Sequence, residues 1–187
     1  MDAWDADPAS LSWWSKNPDT NLLVQLAFPT ENCEMQCFEG SRDPLRGWVG
    51  VHGNDAMPAP LVEFRYPSGR SGGSPSAVLL APFSGADRPA YSVRRTSQAG
   101  WGRLHQLEVT LPDGSTDLIG WTKGLSSPVE TDAGLASDAP FVWLRLDANG
   151  IPAKGFLLDG SHFEHSGRSL YEGQARASRL LHLRGGR

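Results

Sequence analysis

Apolar residues in this chain come in short runs and two-residue alternations rather than in the 3.6-residue rhythm of an amphipathic helix. NLLVQLAF, from Asn21 to Phe28, is an apolar run closed by Pro29. In APLVEFRY, Leu61, Glu63 and Arg65 alternate with Val62, Phe64 and Tyr66, the pattern of a strand with one wet face. SAVLLAPF is too brief for a helix and is bounded by Pro and Gly, which predicts a buried strand. YSVRR predicts another short strand. LHQLEVTL meets LPDGST, where Pro-Asp-Gly sets a tight turn, and DLIGW returns as the hairpin partner. The clearest hairpin is FVWLRLDANGIPAKGFLLDG, turning at Asn149-Gly150, a pair suited to positive φ.

Between these runs lie turn-rich segments at residues 54–60 and 68–76 and in GLSSPVETDAGLASD. RASRLLHLR near the end suits a last strand or a short helix. The pattern predicts an all-β fold, an antiparallel β-sandwich of about ten to twelve short strands. Residues 1–20 read as an N-terminal connection, 21–172 as the sandwich and 173–187 as a basic C-terminal tail.

Composition sharpens this picture. The 21 Gly and 14 Pro punctuate the chain every few residues, which disfavours long helices. Hydrophobic residues make up 39%, enough for a real core. A net charge of −4 argues against a nucleic-acid partner, whose binders carry a basic face. Local clusters such as the tail arginines 176, 179, 184 and 187 still leave room for an acidic polysaccharide. No run of 18 apolar residues exists to span a membrane, and MDAWDADPAS lacks the apolar stretch of a signal peptide, so the sequence assigns no compartment.

Candidate chemistry is sparse. Cys33 and Cys37 would lie ~13 Å apart on one strand face, too far for a disulfide, and read as small buried hydrophobes. His162 and His165 in SHFEHS would point to opposite faces of a strand and read as exposed or loop histidines rather than metal ligands. There is no HExxH, paired CxxC or GxSxG, and GRSGG lacks the P-loop Lys. The sequence therefore predicts no catalytic residue, metal or cofactor.

Seven tryptophans remain. Trp121 and Trp143 sit in strand runs and read as core. Trp48 in LRGWVG and Trp101 in AGWGRL adjoin glycines, as a surface platform for a sugar ring would. Arg42 and Arg46 near Trp48, and Arg103 near Trp101, are the natural companions for an acidic sugar.

PLRGWVGVHGNDAMPAPLVEFRY, SAVLLAPFSG and the later APFVWLRLDANGIPAKGFLLDGSHFEHSGRSL resemble the C-terminal β-sandwich of heparinase II/III-like polysaccharide lyases. The shared features are a Gly-Trp segment, an apolar strand after Pro-Ala-Pro and closing strands around a small turn, over roughly residues 19–170. The resemblance implies a part of an enzyme that removes a proton beside a uronic-acid carboxyl and eliminates the glycosidic bond. In that family a Tyr with an Asn or His from a helical toroid acts with a His from the early sandwich. This chain has neither the toroid periodicity nor that His, and Tyr66, Tyr91 and Tyr171 match no catalytic motif, so no catalytic residue is carried over.

The expected role is thus a noncatalytic β-sandwich portion of such a lyase, acting on uronic-acid polysaccharide, whose catalytic domain or partner chain lies elsewhere. It predicts an exposed apolar face where that partner packs. A stand-alone carbohydrate-binding module would instead show Trp48 or Trp101 exposed beside arginines. An interaction or structural protein with no sugar role would bury every tryptophan. An independent enzyme would bring perturbed titratable groups together in a cleft.

Overall fold

The computed structural model describes residues 4–27, 33–53, 55–65, 77–95, 105–122, 129–131 and 133–183. They are all-β, with only antiparallel pairing and no helix. The chain divides into two compact units, Met1–Pro89 and Ala90–Arg187.

The first unit holds β1 (Trp4–Asp7), β2 (Ser12–Ser15), β3 (Thr20–Leu26), β4 (Glu34–Phe38), β5 (Ser41–Arg42), β6 (Leu45–Arg46), β7 (Trp48–His52), β8 (Asp55–Pro58), β9 (Leu61–Arg65) and β10 (Val78–Ser84). A four-stranded sheet runs β1-β2-β3-β10 and buries Trp13, Leu23, Leu26 and Ala81. The expectation of a buried strand at SAVLLAPF needs correction. β10 is the sheet edge, and its side chains alternate between the two faces, so Val78 and Leu80 are exposed while Ala81 is buried.

The remaining strands form a branched hairpin. β4 pairs with β9 as a stem, and two smaller hairpins, β5–β6 and β7–β8, grow from it as arms. Most of the segment read as turn-rich at 54–60 is thus the strand β8, paired with β7. The branch point is the carbonyl of Gly47, which accepts the amides of Gly40 and Ala59, each at 2.8 Å. Gly47 has φ +68, and a Cβ there would lie 2.6 Å from the Phe38 carbonyl oxygen, so only glycine fits.

The second unit holds β11 (Ser92–Arg95), β12 (His105–Thr110), β13 (Thr116–Trp121), β14 (Val129–Glu130), β15 (Leu135–Ser137), β16 (Phe141–Leu146), β17 (Pro152–His165) and β18 (Arg168–His182). The two hairpins anticipated at Pro-Asp-Gly and Asn-Gly form as β12–β13 and β16–β17, with Gly114 and Gly150 at positive φ. Arg168–His182 is one strand, so the segment that suited a strand or a helix is a strand. Eighteen strands among the described residues exceed the expected number because β5, β6 and β14 are two-residue ladders, β1 and β2 lie in the stretch read as an N-terminal connection, and β8 and β15 lie in stretches read as turns or loop.

β17 and β18 are far longer than expected, and β17 is not straight. Its first half pairs with β16 and its second half with β15. The register slips between Leu157 and Gly160 and again before His162, and Asp159 takes φ 47. Phe163 then packs over Gly155, where an added Cβ would lie 3.1 Å from its ring. In a straight strand these positions would be ~26 Å apart. The eight-stranded sheet therefore folds back on itself, giving a β-sandwich-like unit from one sheet. Leu118, Leu135, Val142, Leu144, Leu157 and Phe163 fill the space between its halves.

Asp138 holds the corner. One of its carboxylate oxygens accepts the amides of Ser161 and His162, both at 2.9 Å, and the other accepts the Ser161 hydroxyl at 2.7 Å. Arg176 lies 3.6 Å from that carboxylate and donates to the carbonyls of Asp138 and Asp159. Burial alone would raise the Asp138 pKa. The bonds from Ser161 and His162 and the charge of Arg176 overcome it and hold the carboxyl below its ordinary range. Gly160 is pressed against this corner, where a Cβ would sit 2.6 Å from that of Ala139.

Asp138→Asn is expected to destabilise the second unit by about 3 kcal/mol in urea unfolding, because it removes the charge while leaving donors aimed at it. The Asp138 contribution is present above the unfolded carboxyl pKa of about 4 and fades as pH falls through the lowered native value. The gap between the native protein and Asp138→Asn should therefore close in acid. Gly160→Ala should cost about 2 kcal/mol, and adding Ala139→Gly should recover part of that loss, as a double-mutant cycle would show.

Candidate functional site

Trp48, Arg46 and Arg42 fall on the branched hairpin, while Trp101 and Arg103 lie outside the described residues. Trp48 opens β7 and is half-buried beside Gly40 and Pro58. Its indole N–H donates 2.7 Å to the Ser41 carbonyl, which ties the ring to the neighbouring arm. Arg46 does not accompany Trp48. Its guanidinium lies 4.9 Å over the Phe38 ring and bonds Glu63 at 2.6 Å. Glu63 also receives Arg65 at 3.3 Å. Arg42 is exposed near the tip of the β5–β6 arm. The structure thus sets Arg46 on Phe38 and gives Trp48 a hydrogen-bonded place in the branch.

A second aromatic surface lies on the folded sheet of the second unit. The core faces one side of β16 through Val142, Leu144 and Leu146, so Phe141, Trp143 and Arg145 take the other side. Trp143 is paired with Ile119 of β13 and Phe156 of β17, and Phe141 with Trp121 and Leu158. Trp121 and Trp143 are therefore half-buried on the face away from the core, which corrects their reading as core residues. Phe141 and Phe156 rings tilt against each other at 6.3 Å. Leu158 and Leu180 continue the apolar band and are exposed.

The polar border of this band is Arg145. Its guanidinium lies 5.5 Å over the Trp143 ring, and its Nε and Nη2 donate to the two oxygens of Asp117 at 2.7 and 2.6 Å. Asp117 is directly opposite Arg145 on β13. The pair sets a flat ring beside fixed donors and acceptors, a surface able to hold an alicyclic face and its hydroxyls. At the other end, His105 stacks on Trp121 at 5.5 Å. Burial lowers the His105 pKa, as does the charge of Arg95, and both favour the neutral ring.

Alternation in FVWLRL carries the signal for this surface, since aliphatic residues take one side and aromatic or charged residues the other. The Asp117–Arg145 pair has no such signal, because the hairpin registers bring it together. His162 and His165 are within β17, where His162 lies 3.7 Å from Glu164. Cys33 and Cys37 are free and half-buried rather than buried. Among the described residues no group of three or more His, Cys, Asp or Glu could hold a metal ion, and no helix is long and apolar enough to cross a membrane. No family model matches the chain, and no curated protein matches it.

Replacing Arg145 by Lys keeps the charge but loses the two-pronged grip on Asp117. The expected cost is about 1 kcal/mol in urea unfolding, with altered Trp143 emission as the local report.

Proposed function

We propose that this chain is a noncatalytic carbohydrate-contacting part of a larger polysaccharide-processing enzyme. The carrying observation is the half-exposed band of Phe141, Trp143 and Phe156, bordered by the Arg145–Asp117 pair. Flat aromatic faces beside rigid polar groups suit sugar rings, whose C–H faces are apolar and whose rims are hydroxyls. The resemblance to the sandwich of heparinase II/III-like lyases supplies the context, in which catalysis belongs to another domain or chain. Exposed Val49 and Met57, paired across the β7–β8 arm, fit an apolar surface left for such a partner.

Affinity electrophoresis through gels holding a neutral glucan, alginate or heparan sulfate tests this reading. At least one polymer should retard the chain, and Trp143→Ala should be retarded far less in it while Trp48→Ala remains retarded as the intact protein is. Incubation of the chain alone with alginate or heparan sulfate should produce no absorbance from an unsaturated uronate. Free migration in every gel, or cleavage by the chain alone, would overturn the reading.

A further inference from the structure

The geometry points to a neutral, hydroxyl-rich glycan as the ligand of the aromatic band, a conclusion that rests on the carbohydrate reading above. Binding an acidic polymer requires cations whose charge is free and recurs along the track. The band offers few. Phe141, Trp143, Phe156, Leu158 and Leu180 are uncharged. Arg145, the cation lying over Trp143, is neutralised by both oxygens of Asp117. Lys154, opposite Arg145 on β17, and His182, opposite Lys154 on β18, lie at one end of the band, and Arg95 lies on the same face near His105 at the other, so the cations stand at its ends and not along the rings.

The arrangement recurs in the first unit. Arg46 over Phe38 is bonded to Glu63, and Arg88, 4.7 Å over Trp14, lies 3.9 Å from Asp7 and donates to Ser12. In each case a carboxylate accompanies the arginine that covers an aromatic ring. A free anion that reached the remaining guanidinium N–H groups would lie close to the carboxylate's own charge and meet an arginine whose charge is already balanced. A sugar hydroxyl suits the pair, because it can donate to a carboxylate oxygen and accept from the remaining guanidinium N–H groups. Asp117 therefore disfavours a uronate at this point and suits a neutral sugar unit, which sets the band apart from the uronate chemistry that the resemblance to lyases implies.

The test compares the intact protein, Trp143→Ala, Trp143→Phe, Asp117→Asn and Lys154→Ala in gels of a neutral glucan, alginate and heparan sulfate, at low salt and at about 0.5 M NaCl. The neutral glucan should retard the intact protein equally at both salt levels. Trp143→Ala should weaken retention about tenfold, and Trp143→Phe, which keeps a ring in the sheet, by less. Asp117→Asn should weaken neutral-glucan retention about threefold, and Lys154→Ala should leave it within twofold. Retardation only by the acidic polymers, abolished by salt, would overturn the neutral assignment and leave the carbohydrate reading standing. Neutral retention unaffected by both Trp143 variants would overturn the assignment to this face. No retardation by any polymer would overturn both.

Discussion

The buried Asp138 carboxylate is the interaction on which the second unit depends. A sheet has two faces, and a single flat sheet would leave one apolar face in water. This sheet covers its own face by bending, and bending disrupts the ladder between β17 and its neighbours at Asp159 to Ser161. The amides of Ser161 and His162 lie at that disruption, and Asp138 accepts both. Arg176 closes the outer side by taking two carbonyls. A neutral acceptor would satisfy fewer donors and would not balance the guanidinium. The corner then sets Phe163 over Gly155, and the inward aliphatic residues of β16 leave their aromatic neighbours facing outward.

The first unit solves a different problem with a backbone atom. A branched hairpin brings strand ends together where ladder partners run out, and each orphan amide needs an acceptor. Gly47 supplies one carbonyl for two amides from different arms. Its positive φ aims that carbonyl inward, and its missing Cβ lets the Phe38–Glu39 backbone approach. Side chains on the arms are consequently little buried, and the apolar residues of β7 and β8 remain outside.

Local chemistry was legible in the sequence, and long-range geometry was not. Pro-Asp-Gly and Asn-Gly place their turns because positive φ is a property of one or two residues. The all-β class follows from alternation and from frequent Gly and Pro. By contrast, nothing local marks β17 as one bent strand, since its bend depends on an aspartate more than 20 residues earlier in the chain. Trp143 shows the limit most clearly. Its size and its apolar neighbours suggest core, but side-chain direction is decided by which parity of β16 meets Phe163 and Leu118. The composition of FVWLRL holds the answer only when its two parities are weighed against each other. Trp48 is a different case: its glycine neighbours suggested an open loop, and in the fold they make room for the branch to which its indole is bonded.

The same parity argument links the fold to the ligand. If one face of β16 is aliphatic and sealed, its Arg must lie on the other, beside Trp143. An arginine on a largely apolar face carries a desolvation cost unless a carboxylate shares it, and the register of β13 brings Asp117 directly opposite. What stabilises the outer face therefore also balances the Arg145 charge beside Trp143. A surface built in this way meets a ligand by shape, ring contact and hydroxyl hydrogen bonds, with little long-range attraction. In the noncatalytic carbohydrate-contacting role proposed above, that arrangement would hold a sugar chain in register without competing for the charges that catalysis elsewhere would need.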